Sequence, residues 1–231
     1  MPVPRSAGGC AGCSELMLAI AHTTPVDRDA CERLAALGVT LFEIDVRLRG
    51  SDVVASHYLP LLPRLEVVQR HNRRLRLGRP WAVDFPLHHI ADVVPPQCRI
   101  LLDCKDDTGA PAQRLTTRLL DSVGDTGRYV VASKNWPALR LLTDAGVETW
   151  VSVATPRALR TALSSNVPCR TVTARHTLLD ADVVRVLRRR YGRVMAWTVN
   201  DPARAQRLAL MGVDGVTSDD PEVLHIVARR K

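Results

Sequence analysis

The chain has 231 residues, of which 46% are apolar and 24% charged. That is enough for one large domain or two small ones with a substantial core, and it argues against disorder. No run of eighteen apolar residues occurs, so a membrane-spanning helix is not expected. Thirty-two basic against 24 acidic residues give a net charge of +8, which suits phosphates, anionic membrane surfaces contacted peripherally, or nucleic acid. Aromatic residues at 4% are too few for a base-stacking platform, so nucleic acid is not the expected partner.

Residues 1–14 are rich in glycine and alanine and read as a flexible N-terminal segment. The lone Cys10-x-x-Cys13 pair there has no second pair at zinc-site spacing. Cys31, Cys98, Cys104 and Cys169 lie in apolar settings and read as reduced core residues. "LMLAIA" (16–21) is short, follows Glu15 and runs straight into His22. It therefore reads as a first strand and not a cleaved leader, which makes a cytoplasmic location the expectation. Further short apolar runs follow at 41–46, 100–104, 128–132, 149–153, 170–174, 194–199 and 213–217. Helical periodicity falls near 27–37, 85–93, 111–123, 135–145, 156–163, 179–191, 201–211 and 220–230. Asp201-Pro202 and Asp220-Pro221 place a capping side chain before a proline at the first helical position. "ALGV", "DAGV" and "LMGV" each end an apolar helical run on glycine before a β-branched residue.

Eight strands alternating with eight helices predict an α/β fold, a single-domain (β/α)₈ TIM barrel over residues 15–231. An open doubly wound sheet would call for a glycine-rich loop after the first strand, and "AHTTPVD" is not one. Residues 58–84 read as a loop insertion after the second strand, with one helix at 64–74. The arginine clusters Arg70-Arg73-Arg74-Arg76 and Arg185-Arg188-Arg189-Arg190 read as solvated faces.

The stretch "FEIDVRLRGSDVVASH" (42–57) carries the chemistry. Glu43 and Asp45 are two apart on a strand and so share a face. On the next strand Asp103 and Lys105 do the same, His22 closes the first strand, and His57 follows the second. Catalytic groups of such barrels gather at the C-terminal rim of the strands. Three carboxylates in one mouth repel one another unless a hard cation neutralises them, and an all-oxygen donor set suits one Mg²⁺ or Ca²⁺. Lys105 either holds an anionic substrate oxygen or neutralises its neighbours. The two histidines titrate near neutrality and suit acid–base work. Arg47 shares the parity of Glu43 and Asp45 and so can face the same mouth.

This order resembles the glycerophosphodiester phosphodiesterase family, whose members are metal-dependent (β/α)₈ barrels. "IAHTTP" stands at the family's His-Arg-Gly signature, and "FEIDVRLRGSDVVASH" is similar to its Glu-x-Asp strand and following histidine. "ILLDCK" resembles its acidic-x-Lys strand, and "VMAWTVNDPARAQRLALMGVDGVTSDDP" its closing segment. The resemblance implies His22 and His57 as the general acid/base pair and Glu43, Asp45 and Asp103 as metal ligands. It implies Lys105 as a phosphate contact and Trp197 as a pocket wall near the alcohol. The substrate it implies is a glycerophosphodiester or a lysophospholipid-like headgroup. Thr23 and Thr24 replace the family's arginine and glycine, Tyr58 replaces an aspartate, and Asp103 stands where glutamate is commoner. Arg47 and Arg49, nearby in sequence, offer compensation for the missing arginine. The aspartate and the missing arginine also resemble the sphingomyelinase D branch, although "HYLPLLPRLE" lacks that branch's cysteine. Absence of the arginine and of the Tyr58-position aspartate leaves open a catalytically degenerate barrel that binds an anionic phospho-ligand without turnover.

Overall fold

The computed structural model describes residues 17–22, 27–55, 59–62, 65–69, 75–78, 85–105, 111–124 and 126–229. The strands are β1 (Leu18–Ala21), β2 (Leu41–Arg49), β3 (Asp52–Ala55), β4 (Leu59–Leu62), β5 (Leu65–Gln69), β6 (Leu75–Gly78) and β7 (Phe85–Pro86). They continue as β8 (Arg99–Cys104), β9 (Tyr129–Ser133), β10 (Glu148–Val153), β11 (Thr171–Arg175), β12 (Arg193–Trp197) and β13 (Gly215–Ser218). The helices are α1 (Arg28–Ala36), α2 (Leu87–Val93), α3 (Ala112–Val123), α4 (Trp136–Asp144), α5 (Pro156–Ser164), α6 (Ala181–Tyr191), α7 (Pro202–Leu210) and α8 (Pro221–Ala228).

β1, β13, β12, β11, β10, β9, β8 and β2 pair in that order, all parallel, and β2 pairs back onto β1. The sheet is closed, giving the eight-stranded barrel that the alternation predicted. Local chemistry stops and starts the helices where the sequence signalled. Asp201 accepts from the amides of Ala203 and Arg204 at the head of α7, and Asp220 from those of Glu222 and Val223 at the head of α8. After α1, α4 and α7 the next residue but two donates back into the helix: Val39 to Leu34, Val147 to Leu142 and Val213 to Leu208. Gly38, Gly146 and Gly212 make these turns with φ of 100°, 85° and 88°, a conformation that a side chain disfavours.

Strand parity sorts the apolar residues into two layers. Phe42, Ile44 and Val46 of β2, Ile100, Leu102 and Cys104 of β8, and Val172 and Ala174 of β11 face outward into the layer beneath the helices. Ile20, Leu41, Leu101, Val130, Ala132, Trp150 and Met195 fill the barrel axis. A Cβ on Gly215 would stand 2.7 Å from Met195 Sδ and 2.9 Å from Leu18 Cβ, so the close packing of this plug requires glycine. Cys31, Cys98, Cys104 and Cys169 are buried thiols, as expected, and none of them is in a disulfide.

Glu148 ties the plug to the barrel's N-terminal face. It accepts from Trp150 Nε1 at 2.9 Å and from Arg99 Nη1 at 2.7 Å. Burial alone would push its carboxyl up, but these two donors outweigh burial and hold it below the usual range. Because the folded carboxyl titrates lower than the unfolded one, its contribution is present above the unfolded value and lost as pH falls through the folded one. Glu148→Gln is expected to lower Tm by about 1–3 °C at pH 7, a modest loss because Glu148 and Arg99 are each more than a third exposed. Thermal melts at successively lower pH should show that difference shrinking as the folded carboxyl takes up its proton.

Two expectations require correction. The segment after the second strand is not a loop with a helix at 64–74: β4, β5 and β6 form a separate three-stranded antiparallel sheet. The Val67-Val68 pair and the Leu75-Arg76-Leu77 alternation carry strand propensity that the arginine spacing masked. Second, β2 does not end at the barrel rim. It runs on to Arg49 and turns through Gly50, φ 63°, into β3, a two-residue hairpin loop of the kind glycine permits. That hairpin sets Ala55 opposite Val46, returning the chain toward the level of Asp45.

Candidate active site and metal centre

At the C-terminal end of the barrel the inward-facing positions change from apolar to charged. On β2 the inward residues after Leu41 are Glu43 and Asp45, and on β8 the sequence Leu101, Asp103, Lys105 does the same. Asp45 and Asp103 are register partners, so adjacent strands bring them side by side. The amide of Lys105 donates to Val46 O at 3.0 Å and extends the ladder one residue past β8. Glu43 and Asp45 are 4% and 6% exposed.

Carboxylate oxygens of Glu43, Asp45 and Asp103 all lie within 4.8 Å of one another. Oxygens bound to one hard cation lie no more than about 4–5 Å apart, so a single Mg²⁺- or Ca²⁺-sized ion is compatible with this span. Electrostatics point the same way. Burial, then the neighbouring Asp45 and Asp103 charges, push the Glu43 carboxyl up to about 8. Lys105 Nζ lies 2.8 Å from Asp45 Oδ1 and also pairs with Asp103. Burial opposes its charge, but the carboxylates prevail and hold the ammonium well above its ordinary value.

His22 follows the last residue of β1, and its amide donates to Ser218 O at 2.9 Å. Its Nδ1 bonds Asp219 Oδ1 at 2.6 Å, and its Nε2 lies 3.8 Å from Glu43 Oε2. Burial would lower the imidazole's pKa, but the Asp219 hydrogen bond and the Glu43 charge reverse that and raise it to about 9. Asp219 is itself held. Asn200 Nδ2 donates to its other oxygen at 2.9 Å, while Asn200 Oδ1 accepts from the Asp219 amide and from Ser218 Oγ, each at 2.9 Å. The chain thus aims one imidazole edge at the carboxylates and fixes the other through an Asp–Asn–Ser network.

The structure brings Glu43, Asp45, Asp103, Lys105 and His22 together. Arg47 keeps inward parity beyond Asp45, and its Nε is buried without a hydrogen-bond partner among the described residues. Trp197 ends β12, inward by parity with Met195, and is partly exposed. His57, Tyr58, Thr23, Thr24, Cys10 and Cys13 lie outside the described residues. Asp219 and Asn200 were not singled out from sequence. The signal was present in "TVN" and "TSDDP", polar residues at the ends of the last two strands of a barrel.

The first arginine cluster lies outside the described side chains. In the second, Arg185 pairs with Asp182, Arg188 with Asp214, and Arg190 donates to Ser165 O and Val167 O. Three of its four charges are therefore engaged within the chain. Among the described residues no helix is long and apolar enough to cross a membrane.

Fold and site define a (β/α)₈ barrel with an oxygen-donor, metal-type centre and a histidine at its C-terminal mouth. A sequence profile of the glycerophosphoryl diester phosphodiesterase family matches residues 102–223, a little over half of the chain, and the protein belongs to that family. A glycerophosphodiester phosphodiesterase of Arabidopsis thaliana is 44% identical over 54 residues, 23% of this chain and only 16% of the plant protein's length. An Oleispira antarctica phosphodiesterase, solved with the product sn-glycerol-3-phosphate, superposes with a TM-score of 0.69 at 19% identity, covering 94% of this chain and 98% of that one. The glycerophosphodiester phosphodiesterase of Thermotoga maritima gives 0.59 at 16%, covering 89% and 96%.

Proposed function

We propose that the protein is a divalent-cation-dependent phosphodiesterase that cleaves glycerophosphodiesters or lysophospholipid-like headgroups. The observation that carries this reading is the approach of the Glu43, Asp45 and Asp103 oxygens to within 4.8 Å of one another, beside an imidazole held by Asp219, in a member of this family. The Oleispira antarctica protein, of like fold, holds a glycerol phosphate, which agrees with a substrate of that class.

Glu43, Asp45 and Asp103 would hold one Ca²⁺ or Mg²⁺, which when bound supplies charge neutralisation for the phosphoryl oxygens. Lys105 adds a positive donor beside the same carboxylates. Arg47, inward by parity and with a buried Nε that has no hydrogen-bond partner among the described residues, would give the phosphate the guanidinium that Thr23 cannot. His22 donates Nδ1–H to Asp219, so Nε2 carries the transferable proton while the ring is the imidazolium, the form that a pKa of about 9 favours at neutral pH. Its raised pKa suits delivery of that proton to the departing alcohol, with His57 as the complementary base.

Thr23 and Tyr58, where the family carries arginine and aspartate, favour a second reading: a barrel that binds a phospho-ligand without turning it over. Purified protein incubated with glycerophosphodiesters and Mg²⁺, Ca²⁺ or Mn²⁺ is expected to release glycerol phosphate. Chelation should stop release and re-addition of the cation should restore it. Ligand binding without product under all three cations would favour the second reading.

A further inference from the structure

On the side of the mouth opposite the acidic cluster stands an arginine that forms no ion pair among the described residues. β11 and β2 are four strands apart in either direction around the closed barrel, so they face each other across it. Val172 and Ala174 of β11 point outward, which turns Thr171, Thr173 and Arg175 inward, with Arg175 at the rim. Arg175 and Trp197 are register partners, and the Arg175 guanidinium lies over the indole, 5.5 Å from its centroid. Arg175 is exposed, so its donors are open to a ligand. Arg204 adds a second positive group at this edge, donating to His176 O and to Leu179 O, the latter at 2.9 Å.

An open indole face at a mouth attracts cations, above all quaternary ammonium groups. Here that face is already covered by a cation. A positively charged alcohol such as choline is denied its stacking surface and meets like charge, whereas an anionic group finds a planar, multidentate donor.

We propose that Arg175, stacked on Trp197, selects phosphodiesters whose alcohol portion carries an anionic group, such as a second phosphate or a carboxylate, and disfavours cationic headgroups. This rests on the phosphodiester site proposed above: phosphate held at the acidic cluster, alcohol reaching across the mouth.

The test uses three probes that differ in headgroup charge: glycerophosphocholine, glycerophosphoglycerol and bis(glycerophospho)glycerol. Calorimetric dissociation constants are measured on the Mg²⁺-loaded His22→Asn chain, with and without Arg175→Gln, and kcat/KM on the parent. The anionic probe is expected to bind about tenfold or more tightly than the cationic one, as a charge-assisted hydrogen bond allows. Arg175→Gln should collapse that ratio toward unity. An unchanged ratio, an equal loss for all three probes, or binding of none would overturn the proposal. A ratio that depends on Arg175 in a chain that hydrolyses nothing would sustain it while sinking the catalytic reading. Hydrolysis indifferent to headgroup charge would do the reverse.

Discussion

His22→Ala is expected to lower kcat by about 10³-fold, within the range that a positioned proton-transfer group supplies, while the chain still binds its cation. The imidazole lies beside the carboxylate cluster without being a member of it. Its nearest approach to the cluster is 3.8 Å, to Glu43, against 2.6 Å to Asp219. Removing it should therefore leave the oxygen donors in place, and cation titration by calorimetry should give an affinity close to the parent's. A parent-like kcat would remove His22 from the chemistry. The companion variant Asp219→Asn separates orientation from proton transfer. It keeps an oxygen acceptor but removes the charge that helps raise the His22 pKa to about 9. Its rate should fall by about 10–100-fold, as removal of an orienting partner does at comparable sites. Its pH–rate profile should move as well. A histidine whose raised pKa depends on an anionic partner titrates lower without it, so the limb that His22 controls should shift to lower pH. A purely structural role for Asp219 would leave that limb in place.

How much of the molecule is legible in its sequence follows from the range of each signal. The barrel is readable because its information is local. Helix stops such as "ALGV" and caps such as Asp201-Pro202 are decided within one turn, and their repetition alone implies parallel βα units. Glu43, Asp45, Asp103 and Lys105 are readable because parity along one strand fixes the face, and consecutive barrel strands are neighbours. What the sequence hides is proximity between its two ends. Asp219 meets His22 only because β13 closes against β1, nearly two hundred residues away. Arg175 meets Trp197 by a register that no spacing reveals. The sheet at 59–78 escapes for the opposite reason. Its strands are short, and arginines at helix-like spacing compete with the β-branched pair that prevails.

Glu43→Gln is expected to abolish cation-dependent hydrolysis without destabilising the cation-free protein. Removing an orienting neighbour already costs about 10–100-fold in metal affinity, so removing a direct oxygen ligand should cost at least about 100-fold. Stability should move differently. In the cation-free chain Glu43 is almost fully buried beside Asp45 and Asp103, and burial together with their charges holds its carboxyl at about 8. A group whose folded pKa lies above its unfolded value contributes stability below the unfolded pKa and loses it as pH rises through the folded one. Glutamine fills nearly the same volume with no charge, so the metal-free variant should melt no lower than the parent at pH 8. A bound ligand stabilises by RT ln(1 + [L]/Kd), about 2.7 kcal/mol at a hundredfold excess over Kd. The parent should therefore gain several degrees in Tm on adding Ca²⁺ or Mg²⁺, and Glu43→Gln should gain little. A variant that kept the parent's cation-induced shift would show that Glu43 is not a ligand, and the three carboxylates would then have to be explained by Lys105 and His22 alone.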